Sequence, residues 1–250
     1  MPLDFIKTDL PGYERVVITC TVTEFGAQGD GQADDTEAFR KALDYAASLG
    51  GGTVYAPAGQ YRINDSLYLA PNVYLLGRWF HPDRTPEKIA DGTVLLASME
   101  TAGPLIGLAA GSGLIGVTVY YPDQSVEHPQ PCPATIKAMD GISPPGQDRA
   151  TSGFAVLKYV TLVNPWTGVL YGPDWNECHV AEYLFMTPLK LGVFVNMVTD
   201  IGRLTELHIG ARYWAAYTGG EAASIAAALR INKSVGLHLQ RADWQYVFNS

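Results

Sequence analysis

Charge is scarce in this 250-residue chain: charged residues make up 17% of it, below the roughly 25% of an average soluble domain. The 17 Lys+Arg fall short of the 25 Asp+Glu, for a formal charge of −8, and no Lys/Arg run occurs. That balance excludes nucleic acid and an anionic membrane surface as partners. Cysteine is scarce too. Cys20, Cys132 and Cys178 are too few and too scattered for a disulfide framework or a metal knuckle. The 5 histidines show no His-x-His or His-x-x-x-His spacing, so no metal site is expected. An export signal is missing as well, because Asp4, Lys7, Asp9, Glu14 and Arg15 interrupt the apolar core it would need. The uncharged stretch from Glu100 to Asp123 is broken by Gly103, Pro104, Gly107, Gly111, Gly113 and Gly116. It reads as two short buried strands joined by a glycine turn, not as a membrane span.

Glycine and proline are plentiful, at 26 and 16 residues, which marks a chain of many turns. The glycine-punctuated loop Gly26 to Gly31 leads to Asp34, an N-cap with Glu37 three residues on, and to a helix over Asp35 to Leu49. Phe39, Ala42, Leu43, Ala46 and Leu49 keep helical spacing, and Gly50-Gly51-Gly52 ends the pattern. Gly29-Asp30-Gly31 is no phosphate loop: the third glycine and the lysine are missing, and Asp30, Asp34 and Asp35 would repel phosphate. The aspartates are read as helix capping in preference to a calcium site. Strands follow at Thr53 to Tyr55 and Gln60 to Ile63, around a Pro57-Ala58-Gly59 turn.

Beyond residue 70, β-rich triplets recur at Val73, Val94, Val117, Val160, Tyr183 and Leu207, in steps of 21, 23, 43, 23 and 24 residues. A period near 23, with one step close to its double, predicts a solenoid. The phrases YYP (Tyr120 to Pro122), VNP (Val163 to Pro165) and MTP (Met186 to Pro188) fall at one place after their triplets and fix the register. Two excursions leave the stack: a proline-rich one after Pro122, and a helical one over 219–233 containing EAASIAAALRI. The fold class expected is all-β, a single right-handed parallel β-helix with the N-terminal helix capping its open end. A doubly wound α/β sheet is the runner-up, disfavoured because no helix pattern separates most strands.

The run FGAQGDGQADDTEAFRKAL, then GGGTVYAPAGQYRI, resembles the N-terminal signature of pectate-lyase-like β-helix proteins, grouped with rhamnogalacturonases and epimerases and related to polygalacturonases. YYPDQ (Tyr120 to Gln124) and TDIGRLTELHIGARYW (Thr199 to Trp214) are similar to bacterial members. The resemblance implies a β-helix that acts on or binds polysaccharide, at a cell surface or outside the cell. It assigns no catalytic residue. The polygalacturonase motifs Asn-Thr-Asp, Asp-Asp, Gly-His-Gly and Arg-x-Lys are missing, and no pectate-lyase calcium cluster aligns.

The residues themselves offer candidates. Glu177 and Asp200 are one 23-residue rung apart. In a parallel stack that puts them about 4.8 Å from each other, where a carboxyl pair shares a proton or does acid/base chemistry on a glycosidic bond. The last rungs bring Glu206 near Asp243. Arg203, His208 and Arg212 are positioned to neutralise uronate carboxylates. Tyr213 and Trp214 offer faces for sugar rings. Asp123 and Gln124 stand where the first excursion leaves its rung, so that Glu177, Asp200, Arg203 and an aromatic are expected in one groove roofed by that excursion. A glycoside hydrolase without cofactor is the first expectation. A β-eliminating lyase, with calcium as its ion, comes second, and a glycan-binding or tailspike-like adhesin third. Because Asp243 to Ser250 still reads as rung sequence, the 250 residues are expected to be the N-terminal portion of a longer β-helix domain.

Overall fold

The computed structural model describes residues 5–139 and 152–250. Apart from an antiparallel hairpin, Phe5–Lys7 with Arg15–Val17, its strands pair in parallel. Parallel neighbours need a crossover, and here each crossover is one turn of a coil. A long sheet takes one strand from every turn, ending Gly113–Tyr120, Val156–Leu162, Val180–Met186, Gly202–Ile209 and Gln245–Phe248. A second sheet takes Leu67–Leu69, Ile106–Leu108, Ile136–Ala138, Thr167–Tyr171, Leu191–Val195 and Val235–Leu239. A short pair, Ser152–Gly153 with Asn176–Glu177, forms a third side. The result is a parallel β-solenoid.

Alternation decides what lies inside it. In-pointing Leu114, Leu157, Ala181 and Leu204 stack in register through successive turns, as do Val119, Leu162 and Met186, and all are buried. Each of the leucine, valine and methionine side chains in these stacks contributes about 1.5–3 kcal/mol of burial. Asn164 closes a corner: its Oδ1 accepts from Tyr121 N–H at 3.0 Å and its Nδ2 donates to Tyr121 O at 2.9 Å. This is why an asparagine follows the apolar triplet in VNP.

The amphipathic helix α1 runs Thr36–Ser48 and presses Phe39, Ala42, Leu43 and Ala46 into the core against the first strands. Its start lies one residue beyond the expected one. Asp35 holds the cap position without a side-chain bond, while Asp34 Oδ1 accepts from Thr36 N–H and Oγ1 at 3.0 and 2.5 Å. Asp35 instead accepts from Gln28 and Gly29 N–H, binding the glycine loop to the helix.

The coil departs from the expected spacing in one place. Val73–Leu76 pairs with the first half of Gly113–Tyr120 and Thr93–Ala97 pairs with its second half, so both lie on one turn. Residues 77–92 between them are a further excursion, with a short helix at Pro86–Asp91. A strand, Ile136–Ala138, also interrupts the proline-rich excursion, whose remainder at 140–151 lies outside the described residues. The last excursion holds two helices, α2 (Arg212–Thr218) and α3 (Ala222–Ile231). Among the described residues no helix is long and apolar enough to cross a membrane.

Candidate active site

Each long strand bends once, at a residue with left-handed backbone. Gly116 (φ 69°), Tyr159 (55°), Tyr183 (55°), Glu206 (54°) and Asn249 (50°) do this, and the pairing register sets them in one column across the sheet. A non-glycine residue held there stores on the order of 1–3 kcal/mol. In exchange, its side chain turns outward: Tyr159 and Tyr183 stack at 5.1 Å, and Asn249 Nδ2 donates to Glu206 Oε1 at 3.2 Å.

A second outward column, Thr118, Thr161, Phe185 and His208, runs beside the first. The His208 ring lies on Phe185 at 4.8 Å, nearly parallel, and its Nε2 is 2.8 Å from Glu206 Oε2. That hydrogen bond is the main reason the Glu206 carboxyl sits below its ordinary pKa. With Nε2 assigned as the donor to Glu206, Nδ1 is the ring nitrogen left to exchange a proton.

The 77–92 loop forms one wall. Trp79 Nε1 donates to Thr161 Oγ1 at 2.8 Å, and His81 meets the Phe185 ring edge-on at 5.0 Å. Burial, and next the charge of Arg84, lower the His81 pKa, so its imidazole is neutral near pH 7. Asp83 fastens this loop to α2 through Arg212 Nε at 2.9 Å, with the Tyr213 hydroxyl donating to Asp83 at 3.4 Å. The N-terminal arm forms another wall, where Tyr159 OH donates to Pro11 O at 2.9 Å. These walls enclose about 220 Å³ between Pro11, His81, Arg84, Tyr159 and Tyr183. A larger space of about 480 Å³ lies under the arm, but its lining is chiefly Val16, Leu76, Ile115, Val156 and Val180, and its Lys158 is paired with Glu182 at 2.8 Å. The smaller space is lined by the ionisable side chains of His81, Arg84, Tyr159 and Tyr183.

The sequence candidates divide between the two edges of the long sheet. Glu177, Asp200, Arg203 and Asp243 gather where its strands begin, and Glu177 and Asp200 both act on the Cys178 thiol, whose pKa burial and then these charges raise. No hydrogen bond joins the two carboxylates among the described residues; Asp200 Oδ1 accepts from Ile201 N–H. Asp243 follows the Asp200 position by register and pairs with Arg241 at 3.8 Å, so it does not meet Glu206, whose neighbour is Asn249. Asp123 is exposed at the other edge, beyond Tyr120. Gln124 is buried and closes its own loop on Gln130 at 2.8 Å in both directions. Tyr213 and Trp214 sit on α2 over that same edge, Tyr213 buried against Phe185. The expected groove is therefore split, with Glu177, Asp200 and Arg203 at one edge and Tyr213, Trp214 and the Asp123 loop at the other, while Glu206 neighbours His208.

Sequence reading missed Trp79, His81, Asp83, Tyr159 and Tyr183. The segment RWFHPDRTPEKIAD (Arg78 to Asp91) carried the signal, since two prolines and six charges cannot lie in a buried rung. Among the described residues no three His, Cys, Asp or Glu side chains converge as metal ligands would.

Comparison with known proteins bears on the N-terminal part. Residues 19–95 match the family of rhamnogalacturonase A/epimerase, pectate lyase-like proteins. Alginate lyase 7 of Azotobacter vinelandii is 42% identical over 78 residues, which are 28% of this chain and 9% of that protein. Mannuronan C5-epimerase AlgE4 of the same organism is 42% identical over 79 residues, 29% of this chain and 14% of the epimerase. The solved A-module of that epimerase aligns with 74% of this chain and 51% of its own, at 20% identity and a TM-score of 0.45. The chain thus spans a small fraction of the length of the curated relatives it matches. The matched stretch takes in α1 and the loop bearing His81 and stops short of Tyr183, Glu206 and His208. Over residues 19–95, from the strand at Cys20 into that at Thr93–Ala97, the chain is similar to the rhamnogalacturonase A/epimerase, pectate lyase-like family.

Proposed function

We propose that this chain forms a right-handed β-helix, capped by α1, that acts on an acidic polysaccharide by removing a proton from a sugar carbon. Right-handed crossover is the sense adopted by nearly all parallel β connections. The observation that carries the reading is the Glu206–His208 pair, with His208 stacked on Phe185 and His81 edge-on to the same ring. A carboxylate holding one imidazole nitrogen leaves the other as a general base. Abstraction next to a uronate carboxylate requires a cation on that carboxylate and a proton donor, to the 4-oxygen in elimination or to the opposite face of the carbon in epimerisation. Arg84 and Tyr183 have the chemistry for these two roles. The resulting carbanion either expels the 4-oxygen, which leaves with a proton from the donor, or takes a proton back on its opposite face, which are elimination and epimerisation. Relatives named for alginate lyase and mannuronan C5-epimerase activity support a uronate polymer.

Direct hydrolysis is the rival reading. It requires a carboxylic acid held protonated, with a raised pKa. Every described carboxyl whose pKa is displaced is displaced downward, as at Asp34, Asp65 and Glu206. Hydrolysis would then rest on Glu177 and Asp200. The test is incubation with uronate, neutral and amino-sugar polymers, with and without calcium. An ultraviolet-absorbing unsaturated uronide or inverted C5 centres, lost in His208→Ala and kept in a Glu177→Gln, Asp200→Asn double variant, are expected. New reducing ends lost in the double variant would select hydrolysis, and retention on a polymer without turnover would select binding alone.

A further inference from the structure

The groove is stopped at one end. Going back along the column of bends from Asn249, the side chains are Glu206, Tyr183 and Tyr159, one per turn of about 4.8 Å. At Tyr159 the N-terminal arm crosses the sheet. Tyr159 OH donates to Pro11 O, Tyr13 stands edge-on to the Tyr159 ring at 6.4 Å, and Leu10 is buried in the cluster formed with Trp79 and Ile115. The arm is therefore packed onto the sheet as part of a hydrophobic core, not laid loosely over it. At Gly116, the next position of the column, Leu10 Cδ1 lies 2.9 Å from where a Cβ would stand, so the arm occupies the path there. The space before this stop is about 220 Å³, below the range of pockets that hold a drug-sized ligand, and so takes a short piece of polymer. Among the described residues Arg84, which lines it, makes no ion pair, while Arg212 nearby is spent on Asp83.

The geometry points to a chain-end site: the arm, through Leu10, Pro11 and Tyr13, limits the groove to the terminal residue of an acidic polymer, whose carboxylate faces Arg84, and denies it chain interiors. This rests on reading the groove as a polysaccharide site and adds its mode of attack. A chain laid along the column reaches His208 and Glu206 with its terminus already against Tyr159, so the reacting unit is fixed by its distance from the end.

Wild-type protein and one uronate polymer decide it. The polymer is supplied at equal mass at full length and cut to about a tenth of that length, and the initial rate is compared below saturation, where it reports encounters with reactive positions. Attack at ends predicts a rate about tenfold higher on the shorter chains and a slow fall in mean length of the long ones. A rate indifferent to length, with early collapse of the long polymer, would overturn the chain-end assignment and leave the groove reading standing. No turnover and no retention of any polymer would remove the groove reading and this one with it. A Leu10→Asp, Tyr13→Ala variant, in which the arm is loosened, is expected to gain early collapse of the long polymer; unchanged end-dependence in a variant whose arm is cleaved readily by protease would count against the stop.

Discussion

Glu206 and His208 point outward from the same strand, two residues apart, and are joined by a 2.8 Å hydrogen bond. Outward residues two apart normally sit on one face without touching a common partner. The left-handed bend at Glu206 swings its carboxylate towards the imidazole, so backbone strain at one residue is what makes the pair.

Glu206→Gln keeps the shape of the side chain and removes the charge that holds His208. Turnover is expected to fall by about 10–100-fold with KM little changed, because the loss falls on proton transfer and not on binding. Steady-state kinetics on the polymer that wild type uses checks this. A rise in KM with kcat intact would assign Glu206 to binding.

The Arg212–Asp83 bridge links α2 to the loop that carries His81, and the Arg212 side chain is 61% exposed. An exposed pair of this kind contributes about 0.2–1 kcal/mol to stability. Arg212→Ala should therefore leave the urea midpoint nearly unchanged while lowering kcat/KM by about fivefold as the loop drifts, with Arg212→Lys recovering part. A large loss of stability with normal kinetics in the surviving protein would show that α2 is a packing element alone.

How far the sequence foretold this arrangement depends on range. The helix at Thr36–Ser48, the strand pair around Pro57 and the alignment of Val117 with Val160 are set by local patterning, and all stand in the structure. The spacing reads Tyr183 as the first residue of a triplet in line with Val160. It is instead the extra, outward residue of its strand, and Leu184 pairs with Val160. A one-residue bend leaves no trace in a hydrophobic count, because tyrosine fits either side. The excursion at 77–92 was hidden by an accident of length. Val73 and Val94 differ by nearly one period although both belong to one turn. Both slips moved site residues, which is why the fold was legible and the cluster at His81 and Tyr183 was not.

Gly116 occupies the bend column beneath the arm. A Cβ there would lie 2.6 Å from Gly77 O and 2.9 Å from Leu10 Cδ1, in a backbone with φ 69°. Gly116→Ala should cost about 2–4 kcal/mol, since overpacking adds to left-handed strain. Gly12→Ala, at φ 81° with nothing near its Cβ, is the control and should cost about 1 kcal/mol from strain alone. Equal destabilisation of the two in urea denaturation would mean the arm does not press on Gly116.

Acid sensitivity should be traceable to His179, a fully buried ring stacked on Tyr171 at 3.8 Å, with Nδ1 3.2 Å from Asn176 Oδ1. Burial lowers its pKa from 6.5 to about 4, so the folded protein keeps it neutral where the unfolded chain takes up a proton. Because the unfolded state binds more protons in that window, stability is complete above pH 6.5 and is lost as pH falls towards 4. The loss at the bottom of the window is about 3 kcal/mol. His179→Gln retains polar atoms but does not titrate, and carboxylates that also protonate there are shared by both proteins. The urea midpoint of wild type should drop more steeply than that of His179→Gln across the window, the two curves converging at low pH. Parallel curves would place the acid-sensitive group elsewhere.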